Sequence, residues 1–160
     1  SIAECGGYCG EANLTNAHFR FADLTDATLA YADLTDANLY KVDLTDANLR
    51  HANLTDAYVT NADLTNVDLY VADLTDANLF GAELTNANLY YADLTDVNLY
   101  NANLTNAYLY GADLTDANLY YADLTDADFS AATVTNANFA NTIWSNTIWT
   151  DGVTYNTNPT

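Results

Sequence analysis

A five-residue beat governs this chain and leaves few folds open to it. Ala-(Asp/Asn)-Leu-Thr-(Asp/Asn) begins at Ala12-Asn13-Leu14-Thr15-Asn16 and is still present at Ala137-Asn138-Phe139. The central residue of each pentad falls at 14, 19, 24 and onward to 149, which makes 28 pentads. It is Leu with few exceptions: Phe19, Val59, Phe129, Val134, Phe139, Trp144 and Trp149. Two residues before it stands Ala, or Val at 42, 67 and 97, or Thr at 142 and 147. A period of five fits neither the 3.6 of a helix nor the 2 of a flat strand. It fits a chain that turns a corner every five residues, with one Leu and one small residue inward. Four such sides close a square coil of twenty residues, and coils stack at roughly 4.8 Å.

Tandem A-(D/N)-L-x-x over residues 12 to about 150 resembles the pentapeptide-repeat family. The resemblance implies an all-β fold, a right-handed quadrilateral parallel β-helix. With four pentads to a coil this chain would have about seven coils, a rod of roughly 30–35 Å. The expected organisation is an N-terminal segment over 1–11, one solenoid domain over 12–150 and a polar tail over 151–160.

Sorting the pentads by coil side separates the surface. Sides centred on Leu14, Leu34, Leu54 and on Leu24, Leu44, Leu64 carry the columns of Asp and Thr. The two sides between them carry Tyr31, Tyr40, Tyr58, Tyr70, Tyr90, Tyr91, Tyr100, Tyr108, Tyr110, Tyr120 and Tyr121. Arg20, Lys41, Arg50, His18 and His51 lie there too. We expect two opposed acidic faces and two opposed aromatic faces. Tyr40, Tyr70, Tyr90, Tyr100, Tyr110 and Tyr120 are candidates for a lateral interface.

The formal charge of -19 excludes nucleic-acid binding through backbone phosphates and favours basic partners or cations. Asp36, Asp56, Asp76, Asp96 and Asp116 stand one coil apart and are candidates for loose Ca²⁺ ligation through oxygen. No other metal or cofactor is expected. Neither His has the neighbours of a catalytic triad, and no Gly-rich phosphate loop occurs, so no enzyme is expected. No apolar run is long enough to insert in a membrane. Asn13, Asn53 and Asn103 open Asn-Leu-Thr sequons that arise from the repeat itself.

The ends read differently from the middle. Cys5 and Cys9 flank a short Gly-containing stretch, a candidate disulfide loop that points to an oxidising compartment. The chain has no Met, even at position 1, which reads as a processed start. Solenoids need caps, and neither end has the period of a cap helix. The large central residues near the ends, Phe19, Phe129, Phe139, Trp144 and Trp149, read first as plugs of the core. Either the terminal segments fold over the ends, or the ends pair with other copies. In the second case Phe139, Trp144 and Trp149 are candidates for an end interface. The leading expectation is an exported structural protein that stacks end to end with copies of itself and associates sideways through Tyr. The family resemblance implies an alternative, a cytoplasmic DNA-mimic inhibitor of a gyrase-type topoisomerase. Flat Thr columns, Thr15 to Thr135 and Thr25 to Thr125, give a lesser ice-binding reading. A designed consensus solenoid is a further one, although Lys41, Arg50, His51 and Val71 depart from any consensus.

Overall fold

A computed structural model describes residues 9–159. Its backbone repeats every twenty residues: Asn13 bridges Asp33 in parallel, Asp33 bridges Asn53, and the series continues to Asp128 and Ile148. Each side of the coil contributes one bridging residue to the stack. Corners separate the sides, so long strands never form. This is the quadrilateral β-solenoid that the five-residue period predicts.

The core is two interleaved ladders. Ala32, Leu34, Ala37, Leu39, Leu44 and Leu49 are all essentially inaccessible to solvent, and the pattern holds through Phe129. Complete burial of each Leu contributes about 1.5–3 kcal/mol, so this column is the main source of stability. Val replaces Ala at 42, 67 and 97 and is accommodated at full burial.

Corner geometry explains the rest of the pentad. In the pentad Ala32-Asp33-Leu34-Thr35-Asp36, the Asp33 amide donates to Ala12 O at 2.9 Å and the Leu34 amide to Asn53 O at 2.7 Å. The Asp36 amide donates to Thr55 O and the Ala37 amide closes the turn onto Leu34 O. The remaining amide, Thr35 N, donates to the Asp33 side chain at 3.1 Å. All five donors are thus paired, as a narrow solenoid with an apolar interior requires. The turn places its third residue at positive φ, 58° for Asp36, which is the type II pattern.

At the C-terminal end the chain doubles back. Strand β1 (Thr147–Ile148) pairs with the preceding coil through Asp128 and antiparallel with β2 (Thr154–Tyr155). Gly152, at φ 79°, permits the tight return between them. The Asn146 amide donates to Asn156 Oδ1, and Asn158 Nδ2 donates to Phe139 O. The segment expected to be a polar tail therefore covers part of the last coil's open edge, the usual protection against edge pairing. Inside it, Thr147 is fully buried because its hydroxyl donates to Leu124 O at 2.7 Å. The first coil is less covered: Leu14 and Phe19 are only partly buried.

Leu74→Ala, in the middle of the ladder, should cost about 2–5 kcal/mol in denaturant unfolding. Leu14→Ala should cost clearly less. Equal costs would contradict a core whose burial is continuous in the middle and thin at the N-terminal coil.

Candidate interaction surface

The surface has three outward positions per pentad: the residue before the central one and the two after it. On the acidic faces all three serve the corner. Asp or Asn before the central residue accepts the Thr amide, and often the Thr hydroxyl as well: Thr35 Oγ1 to Asp33 and Thr65 Oγ1 to Asp63, both at 2.6 Å. These short bonds run within a pentad. The Asn side chains do run between coils, as in Asn66 to Asp46 and Asn86 to Asn66, both 2.9 Å.

The third outward position is the left-handed one. On the acidic faces it is Asp or Asn without exception from Asn16 to Asn146, at φ near 57°. Asn and Asp tolerate this backbone far better than other non-glycine residues. Much of the acid is therefore explained by the corner. Among the described residues no group of three or more His, Cys, Asp or Glu is placed to hold a metal. The column of Asp36, Asp56, Asp76, Asp96 and Asp116 is a row of single exposed side chains, one per corner.

Thr hydrogen bonds also act on charge. The Thr35 hydroxyl and then its amide, with the Thr15 hydroxyl of the coil before, hold the Asp33 carboxyl below the ordinary aspartate value against the opposing effect of burial. Asp43 is lowered in the same way, by the Thr45 amide and then its hydroxyl. A carboxylate lowered by folding stabilises the native state above its unfolded pKa, and that contribution disappears as pH falls through the native value.

The aromatic faces break the same rules. Phe21, Tyr31, Lys41, His51, Val71, Tyr91, Tyr121 and Ala131 all occupy left-handed positions, at φ between 53° and 63°. For bulky or β-branched residues such a backbone is strained, by about 1–3 kcal/mol each. From Phe21 to Asn141, only Asn and Gly share these columns otherwise. Gly111 makes room for a ring: a Cβ there would come within 2.6 Å of Tyr91. Tyr58 and Tyr108, like His18 and Thr28 on the same faces, also stand where Asx accepts a turn amide in most pentads.

These rule-breaking residues are the ones that project. Phe21 is 63% exposed, Tyr31 59%, Tyr91 52% and Tyr121 48%, with Tyr58 and Tyr108 close behind. Tyr40, Tyr70, Tyr90, Tyr100 and Tyr120, singled out from sequence, are half-buried beneath them, and Tyr110 is exposed. Together they form ring ladders. On one face Phe80 stacks on Tyr100 at 5.2 Å and Tyr100 on Tyr120 at 5.6 Å. Tyr121 caps this run edge-on to Tyr120 at 4.4 Å, and a hydrogen bond to Tyr120 raises its phenol pKa. On the other face Tyr31 lies flat on His51 at 4.7 Å, and contacts continue through Tyr70, Tyr91 and Tyr110. Thr60 interrupts the first ladder; it is buried and its hydroxyl has no partner.

The proposed end residues face one another. Phe139 and Trp144 are buried and Trp149 is half-buried. Trp149 packs 5.0 Å from both of them and 5.8 Å from Phe129. They pack together at the end of the core, under the returning tail. Cys9 is buried against the core. Cys5 lies outside the described residues, and no described cysteine is a free thiol.

A four-sided stack of pentads with a Leu and Ala interior defines a repeat solenoid. Residues 12–89 match the family described as pentapeptide repeat region, and residues 92–136 match pentapeptide repeats in eight copies. The chain belongs to the pentapeptide repeat family. It is similar to HetL, a pentapeptide repeat protein involved in heterocyst differentiation regulation from the cyanobacterium Nostoc sp. strain PCC 7120. That likeness is 34% identical with a TM-score of 0.59, and covers 92% of this chain and 74% of HetL. QnrB1, a plasmid-mediated fluoroquinolone resistance protein, aligns at 24% identity and a TM-score of 0.47, over 84% of this chain and 73% of that one. Rfr23 from the cyanobacterium Cyanothece 51142 aligns at 24% and 0.38, over 90% and 95%. Comparison with curated protein sequences returns no match. Among the described residues no helix is long and apolar enough to cross a membrane.

In a Thr35→Val variant the NMR titration midpoint of Asp33 should move upward toward the ordinary aspartate value. An unchanged midpoint would show that the Thr hydroxyl does not hold the carboxylate.

Proposed function

We propose that this protein is a non-enzymatic interaction rod whose working surfaces are the two aromatic faces. One observation carries this reading: bulky residues sit at left-handed corners on these faces alone. Asn at the same corners, as at Asn61 and Asn101, would fit the backbone better. Backbone strain persists at sites where the side chain serves something besides folding. Exposed aromatic stripes are also the usual mark of a contact surface.

No pocket opens among the described residues, and the open faces offer nothing to exclude water from a reacting group. The acid columns are built into the corners and supply solubility and long-range attraction for a basic surface. Contact is sideways. The returning tail covers part of the last coil's open edge and leaves less of it for head-to-tail stacking. The likeness to HetL, named for a part in regulation, agrees with a binding role.

Site-specific photo-crosslinking in the native host tests the reading. A benzophenone residue in place of Tyr91 or Tyr121 should yield a discrete protein adduct. One in place of Asp96 or Asn106, on the acidic faces, should not. Adducts at Asp96 and Asn106 with none on the aromatic faces would contradict it.

A further inference from the structure

Every Lys and Arg in the chain already rests on an aromatic ring. Arg50 lies over Tyr70 at 4.3 Å and its Nη1 pairs with Asp68 Oδ2 at 3.1 Å. Arg20 lies over Tyr40 at 5.2 Å, and Lys41 lies over the same ring at 5.6 Å. All three belong to the first third of the chain. After His51 there is no Lys, Arg or His at all. The aromatic faces nevertheless continue, and become denser in Tyr.

The richest unoccupied field lies on the side that carries Arg50. Tyr90 stacks on Tyr108 at 6.1 Å and meets Tyr110 at 5.8 Å; Tyr91 stands edge-on to Tyr110 at 5.7 Å. Asp128 occupies the column of Asp68, reached through the bridges Asp68–Asn88, Asn88–Tyr108 and Tyr108–Asp128. Tyr110 stands in the column of Arg50 itself, three coils on. The field thus repeats the carboxylate that receives Arg50, Asp128 for Asp68, one coil beyond Tyr110. Ser130 stands where Tyr70 does, so the rings on offer are those of Tyr90, Tyr91, Tyr108 and Tyr110 on the near side of Asp128.

We infer that this field receives arginine side chains from a basic protein segment, ring faces taking the guanidinium plane and Asp128 its N–H groups. The inference rests on the aromatic-face reading above and names the chemistry of its partner. Guanidinium is favoured over ammonium because it stacks flat on rings and bonds a carboxylate at the same time. A second copy of the chain is disfavoured as occupant: its formal charge is -19, and its three cations are engaged with its own rings. The acidic faces on either side draw a basic segment toward the field from a distance.

Calorimetric titration of the intact protein with nona-arginine and nona-lysine at physiological ionic strength tests this. Nona-arginine should bind about tenfold or more tightly than nona-lysine, the scale of one to two cation–π contacts. Tyr91→Leu with Tyr110→Leu should abolish that preference, and Asp128→Asn should reduce it several-fold, with the thermal melt of each variant showing that it is folded. Equal binding of the two peptides, or a preference indifferent to Tyr91 and Tyr110, would overturn the inference. A photo-adduct at Tyr91 to a second copy or to a partner without basic segments would also overturn it while leaving the aromatic faces as the contact surface.

Discussion

The left-handed corner is the constraint on which this structure depends. A coil only twenty residues round must turn four times, and each turn sets its third residue at positive φ. The same corner frees one amide that the coil-to-coil ladder does not reach. An Asp or Asn two residues earlier accepts it, as Asn98 does for Tyr100 and Asp113 for Thr115. Two of the five repeat positions are thereby assigned to Asx for backbone reasons, and two more to the Leu and Ala of the core. Only the residue after Leu is left to vary freely.

That accounting separates surface made by the fold from surface made despite it. On the acidic faces the left-handed corner is Asp or Asn in every pentad, and the residue before the central one departs from Asx only at Glu83, Thr133 and Ile143. Most of the Asp, Asn and Thr there therefore need no partner to explain them. Their charge is a consequence with effects of its own: mutual repulsion along the columns and attraction for basic molecules. On the aromatic faces the corner is overruled at Phe21, Tyr31, Val71, Tyr91 and Tyr121. Ring stacking recovers part of the strain, since each ring pair contributes about 0.5–1.5 kcal/mol. It does not account for Val71, which has no ring to stack yet is 38% exposed on a backbone that disfavours β-branching.

Much of this was legible in the residues. The five-residue period gives the inward Leu and Ala, and grouping by four gives the coil and its alternating faces. The division between Asx corners and bulky corners was also present in the text, in the invariant Asp or Asn that closes every Thr pentad. Reading it needs the sign of φ, which periodicity does not carry. The prominence of Tyr31, Tyr91 and Tyr121 over Tyr40, Tyr70 and Tyr90 follows from the same corner and was hidden with it. That the terminal segment folds back over the end was one of two readings the residues left open; how it docks was not legible. Asn156 and Asn158 dock on backbone groups of Asn146 and Phe139 that come together only once the last coil exists. A short polar stretch with no period of its own gives no sign of that.

The central claim is that aromatic-face corners carry strain which acidic-face corners do not, and a reciprocal pair of substitutions measures it. Val71 and Asn106 both sit at left-handed corners in the middle of the rod, at φ 55° and 57°. By denaturant unfolding, Val71→Asn should stabilise the protein by about 1 kcal/mol and Asn106→Val should destabilise it by at least as much. If Val71→Asn is as destabilising as Asn106→Val, the corners are equivalent and the distinction between the two kinds of face fails.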